Sequence, residues 1–114
     1  MMLSLDRSTY ACGSELVARL SLSGSPGFPR SLSFATGQIY DMEIQTPAGA
    51  VVYRWSHRKV FPQIALNVPM AGNEEYVITA PLAGLPPGDY LAKGWLVAEG
   101  PPRAYSASAA FRIE

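Results

Sequence analysis

From Leu16 onward, hydrophobic and polar positions alternate along the chain. Leu16, Ala18, Leu20 and Leu22 fall on one side, and Val17, Arg19, Ser21 and Ser23 on the other. A period of two is the signature of a strand with one face buried. The turn GSPGFPR at 24–30 ends this segment, SLSF then places Leu32 and Phe34 on one face, and a second turn signal follows at Gly37. Next, Tyr40, Met42 and Ile44 alternate with Asp41, Glu43 and Gln45, and beyond the sequence PAG, Val51, Tyr53 and Trp55 alternate with Val52, Arg54 and Ser56. With residues 47–50 as the loop, these two runs form a hairpin in which Ile44 faces Tyr53, Met42 faces Trp55 and Glu43 faces Arg54. A slip of one residue would set Met42 against Arg54 and mix the buried and wet faces, so the pattern selects the first register. In that register Glu43 and Arg54 are expected to form an exposed cross-strand pair worth under ~1 kcal/mol, and Asp41 and Glu43 a solvated outer face.

Residues 57–73, HRKVFPQIALNVPMAGN, lack a clean period and contain two prolines, so they read as a long connection with one short strand around Ile64 to Val68. EEYVITAPL forms a further strand. The turn AGLPPGDY leads into YLAKGWLVAE, where Tyr90, Ala92, Gly94 and Leu96 oppose Leu91, Lys93, Trp95 and Val97. The last strand sets Tyr105, Ala107, Ala109, Phe111 and Ile113 against Ser106, Ser108, Ala110 and Arg112. Turns recur throughout and no helical period is present. The expectation is an all-β chain, an immunoglobulin-like antiparallel β-sandwich of seven or eight strands, filling residues 1–114 as one domain. Tyr53, Trp55 and Trp95 are expected at inward core positions, or else as anchors for a partner. As a core residue, Trp55 would cost roughly 3 to 5 kcal/mol on truncation to alanine.

Composition narrows the function. Nine Lys plus Arg balance nine Asp plus Glu, which leaves no basic surplus for neutralising phosphates and argues against nucleic acid as a partner. Cys12 is the single cysteine, so no intramolecular disulfide forms, and it is expected to be small and partly buried near a strand start. The first residues lack the basic and apolar runs of a signal peptide, and no segment reaches the ~18 apolar residues of a membrane helix. A soluble, cytoplasmic monomer without membrane contact is the expectation; a chain already stripped of a leader would look the same.

Chemistry-bearing residues are few. His57 is the sole histidine, preceded by Ser56 and with Asp41 opposite Ser56, which supplies three residue types of a hydrolytic triad. Neighbours on a strand point to opposite faces and no glycine-rich nucleophile turn surrounds the serine, so His57 is expected to be a solvated loop residue and the protein not an enzyme. One histidine, one cysteine and scattered carboxylates support neither a metal site nor a cofactor. Surface recognition remains. Arg58, Lys59, Val60 and Phe61 leave the hairpin as two positive charges followed by two bulky apolar residues and end in Pro62. Such a loop presents side chains to a partner, or Phe61 folds back to plug one end of the sandwich; both readings stand.

The residues TGQIYD at 36–41, Gly49, VVYRWS at 51–56, and Phe61 with Gln63 resemble the pattern of the BsuPI family, the bacterial intracellular proteinase inhibitors. MAGNEEY and LPPGDY are similar to its later turn and its Pro-Gly-x-Tyr segment. Within this pattern Gly37, Tyr40, Asp41 and Trp55 are expected to be structural. Tyr53 stands where the family commonly has a second tryptophan, and the asparagine usual before the first long turn is missing from LSLSGSPGF. The resemblance implies a sandwich that binds and inhibits an intracellular subtilisin-like serine protease, and it transfers no reactive-site residues. A substrate-like inhibitor buries about 1,600 Å² in total at such an interface. The first candidate for its binding loop is 57–63, and the second is 24–30, with Pro26, Phe28, Pro29 and Arg30, because prolines restrict both. The alternative is a non-catalytic protein–protein interaction domain, which would offer a flat apolar patch or an unpaired edge strand in place of a protruding loop.

Overall fold

Alternation becomes pleated sheet along most of the chain. This computed structural model describes residues 1–23, 31–70 and 73–114. Among them ten strands follow in order: β1 Met2–Leu5, β2 Thr9–Tyr10, β3 Glu15–Ser23, β4 Ser31–Phe34, β5 Tyr40–Gln45, β6 Val51–Arg54, β7 Leu66–Pro69, β8 Asn73–Pro81, β9 Gly88–Leu96 and β10 Ser106–Ile113. The described residues contain no helix. One sheet has the order β1-β3-β8, a second the order β2-β10-β9-β5-β6, and β4 pairs with β7 in a third.

The inward set of β3 is fully buried at Leu16, Ala18 and Leu20 and nearly so at Leu22. It packs with Met42 and Ile44 of β5, Tyr90, Ala92 and Leu96 of β9, and Phe111 and Ile113 of β10 in one core. The close approach of the layers is visible at Gly94 of β9, where a Cβ would sit 3.3 Å from Leu20 Cδ1 and 3.4 Å from Leu3 Cδ1. A side chain there would push the two leucines back by a few tenths of an ångström in a close-packed core. LPPGDY closes one corner: the Tyr90 hydroxyl donates to the Pro86 carbonyl at 2.5 Å, and its ring stacks on Phe111 with centroids 5.6 Å apart. A tyrosine at the start of a strand that bonds back to backbone a few residues upstream is a recurrent corner of immunoglobulin-like sandwiches.

The strand count exceeds the seven or eight read from the pattern because β1 and β2 were missed. They are four and two residues long, too short for a period to register. Their pairings are long-range: Leu3 of β1 lies opposite Leu20, and β2 runs parallel to β10, with Ile113 opposite Tyr10. Cys12, expected to be partly buried, is exposed in the turn after β2, where its N–H donates to the Glu114 carbonyl at 3.2 Å. Of the second candidate loop, Pro26, Phe28, Pro29 and Arg30 lie outside the described residues.

Candidate functional site

The hairpin keeps the register that the pattern selects at Glu43 opposite Arg54 and Ile44 opposite Tyr53, and then shifts by one at a bulge, so that Gln45 faces Val51 where the pattern would set Val52. The Trp55 N–H donates to the Met42 carbonyl at 2.8 Å, and the chain then leaves the ladder in a turn at 55–58. Asp41 builds that turn. One carboxylate oxygen accepts from the N–H groups of Met42 at 2.8 Å and Ser56 at 3.1 Å, and the other from the Ser56 hydroxyl at 2.6 Å. This is a side chain capping a turn in place of backbone partners. Asp41 and Ser56 therefore meet, as two of the three triad residue types, but His57 is exposed beyond them.

Past this turn the exit loop is braced on two sides. Phe61 folds back, half-buried, with its ring 5.9 Å from that of Trp55; of the two readings of Phe61, the inward one describes its position. Trp55 lies 4.9 Å from Tyr40, and Tyr40 lies 5.3 Å from Tyr76 on the facing sheet. The Lys59 ammonium sits 4.7 Å above the Trp55 ring, within cation–π range. On the other side, the Gly37 N–H donates to the Pro62 carbonyl at 2.8 Å. A Cβ on Gly37 would come within 2.8 Å of Pro62 Cδ, so the loop seats here because residue 37 has no side chain. Arg58 turns the loop through a left-handed backbone, with φ 64°, a conformation uncommon outside glycine. Between these braces Val60 stands 96% exposed.

The opposite face of the hairpin departs from expectation. Asp41 and Glu43 are 4% and 1% exposed, not a solvated pair. Glu43 is covered by two arginines: Arg54 donates to one oxygen at 2.7 Å, and Arg103 grips both at 3.0 and 3.3 Å. Gln45 donates a further bond at 2.6 Å. Burial alone would raise the Glu43 pKa, but the bonds from Arg103, Arg54 and Gln45 outweigh it and hold the carboxyl below its ordinary range. Trp95, expected inward, shares this outer face, because it lies opposite Asp41 and Lys93 opposite Glu43. It is nevertheless only 5% exposed, with the Arg103 guanidinium 3.9 Å and that of Arg54 5.6 Å from its ring centroid. Sequence reasoning missed Arg103 and Lys93 as members of this cluster. The alternation that put Lys93 and Trp95 on one face carried the signal for Lys93, whereas Arg103 arrives from a loop with no period.

The described residues hold no group of three His, Cys, Asp or Glu arranged for a metal ion, and no helix long and apolar enough to cross a membrane. In comparison with known families, the model of BsuPI, intracellular proteinase inhibitor, matches residues 3–101. The chain belongs to the BsuPI family. Its pattern at 36–63 is now legible as structure: Gly37 seats Pro62, Tyr40 packs on Trp55, which carries Phe61, and Asp41 caps the turn through Ser56. No curated protein matches this BsuPI chain in sequence.

Among solved structures, the sporulation control protein Spo0M of Bacillus subtilis is similar, with TM-score 0.61 and 12% identity over 97% of this chain and 46% of that one. This chain thus spans about half the length of Spo0M. The CARDB domain of a Pyrococcus furiosus protein, solved in complex with di-metal ions, is similar with TM-score 0.50 and 6% identity over 98% of this chain and 88% of that one. At these identities the likeness is one of fold, the β-sandwich.

Proposed function

We propose that this BsuPI chain inhibits a subtilisin-like serine protease in the cytoplasm, as a non-catalytic monomer that presents the loop 57–63. The observation that carries the reading is the bracing of that loop. Phe61 is fixed on Trp55 and Pro62 on Gly37, while Val60 projects between them. A loop held in shape before binding loses little conformational entropy on docking, which is the physical requirement of a tight substrate-like inhibitor. Val60 is the apolar side chain offered to a specificity pocket, and Arg58 and Lys59 flank it with positive charge. Membership of a family of intracellular proteinase inhibitors supports a protease as the partner.

A second reading has its own observation. β6 is the edge of the five-stranded sheet among the described residues, and Val51 and Val52 on it are 50% and 40% exposed. An unpaired edge with exposed valines is a template for an added strand, as an interaction domain would use it. Titrating a cytoplasmic subtilisin-type protease with the protein, against a chromogenic peptide substrate, separates the two. Stoichiometric inhibition that Val60→Asp abolishes and Val52→Lys leaves intact supports the loop. Absence of inhibition, or rapid cleavage of the domain, moves the assignment to the edge-strand reading.

A further inference from the structure

The face around Trp95 adjoins the turn at 55–58 through Asp41, which lies opposite Trp95 and holds Ser56, but the function proposed above gives its cations no role. Its cations outnumber its carboxylates. Arg54 and Arg103 bind Glu43, Lys93 lies opposite it on β9, and Asp41 is bonded to Ser56, so both carboxylates are buried and engaged within the protein. The two arginine side chains keep 43% and 41% of their surface in solvent, and the bonds to Glu43 use only some of the five N–H donors of each guanidinium.

Beside them a recess of about 280 Å³ is lined by Lys93, Trp95, Arg103, Ser106, Ala107 and Ser108. Its polar lining consists of an ammonium, a guanidinium and two hydroxyls, with no carboxylate. Lys93, Ser106 and Ser108 form no side-chain hydrogen bond or ion pair among the described residues, and the backbone of Ser106 and Ser108 is fixed by the ladder opposite Trp95 and Lys93. Arg103 reaches the recess from a left-handed backbone, with φ 54°. An aromatic floor with cations and hydroxyls at its edge is the chemistry that recognises carboxylates.

The geometry points to this recess as a docking site for an acidic peptide segment of a partner protein, with Lys93 and Arg103 on its carboxylates and Ser106 and Ser108 beside them. Charge complementarity selects the occupant: the recess shows a partner positive charge and hydrogen-bond donors, and its own two acids are sealed beneath.

The chain has two tryptophans, so its indole N–H resonances supply both a probe and an internal control, assigned with Trp55→Phe. Titration with a short oligo-glutamate peptide capped at both ends is expected to shift the Trp95 resonance and leave that of Trp55 in place. Binding should vanish near 1 M salt, where the screening length falls to about 3 Å. Lys93→Ala, which removes a cation outside the Glu43 bonds and so keeps the fold, is expected to weaken binding about threefold to tenfold. An unmoved Trp95 resonance, an equal response to oligo-lysine, or unchanged affinity in Lys93→Ala would overturn the assignment. Tighter binding of a single-stranded RNA oligonucleotide at Trp95 would overturn it too, in favour of a nucleic-acid surface.

Discussion

The two tryptophans occupy environments that invert the usual relation between face and burial. Trp55 sits on the core side of the hairpin, yet it is half-exposed, because it ends the ladder and carries Phe61 and Lys59. Trp95 sits on the outer face, yet it is 5% exposed, because Arg54 and Arg103 lie across it. Strand alternation decides the side on which a residue emerges; what covers that side is decided by side chains from elsewhere. Guanidinium groups shield an indole well, since they are planar and weakly hydrated and bring their own cation–π attraction. One tryptophan thus braces a loop, and the other floors a charged recess.

Truncation tests this contrast most severely. Trp95→Ala is expected to cost about 3 kcal/mol, because it empties a covered site and strips the arginines of their support. Trp55→Ala should cost about 2 kcal/mol, less than a fully enclosed tryptophan, since part of its surface is already wet. Chemical denaturation of both variants checks the order, and a Trp55 variant less stable than the Trp95 variant would reverse the assignment of which is covered. Gly37→Ala drives a methyl group into Pro62 and is expected to cost about 1–2 kcal/mol. Its sharper readout is inhibition, which should weaken by more than the stability loss explains, because the loop must move to admit the methyl group.

The smallest expected effect concerns pH. Glu43 has its carboxyl held below the ordinary 4.5 of a glutamate, so folding binds its proton less tightly than the unfolded chain does. Its contribution is present above pH 4.5 and is lost as pH falls through the depressed native value. In a series of denaturation midpoints, Glu43→Gln should flatten the acid limb and leave the slope near neutrality unchanged. An acid limb of the same steepness in that variant would show that Glu43 is not the group responsible.

Much of the fold was legible in the sequence. The registers Glu43 to Arg54 and Ile44 to Tyr53 followed from keeping apolar side chains on one face, and β3 buried the leucines its period selected. Burial of Glu43 was not legible, because it depends on Arg103, a residue 60 positions away in sequence on a loop with no period. The same holds for the site. Arg58, Lys59, Val60 and Phe61 were recognisable as an irregular exit from a hairpin, but the contact between Gly37 and Pro62 that fixes their course joins two irregular segments on either side of the hairpin, and no local pattern encodes it. β2 escaped because two residues carry no period, and its partner is the far end of the chain.

Residues 57–63 are the proposed contact surface for the protease. Hydrogen exchange of the protein, free and saturated with the protease it inhibits, tests this most directly. New protection of backbone amides across 57–63 is expected, with those of β6 and of the Trp95 face unchanged. Protection confined to Val51–Arg54, with exchange across 57–63 unaltered, would contradict it and assign binding to the sheet edge.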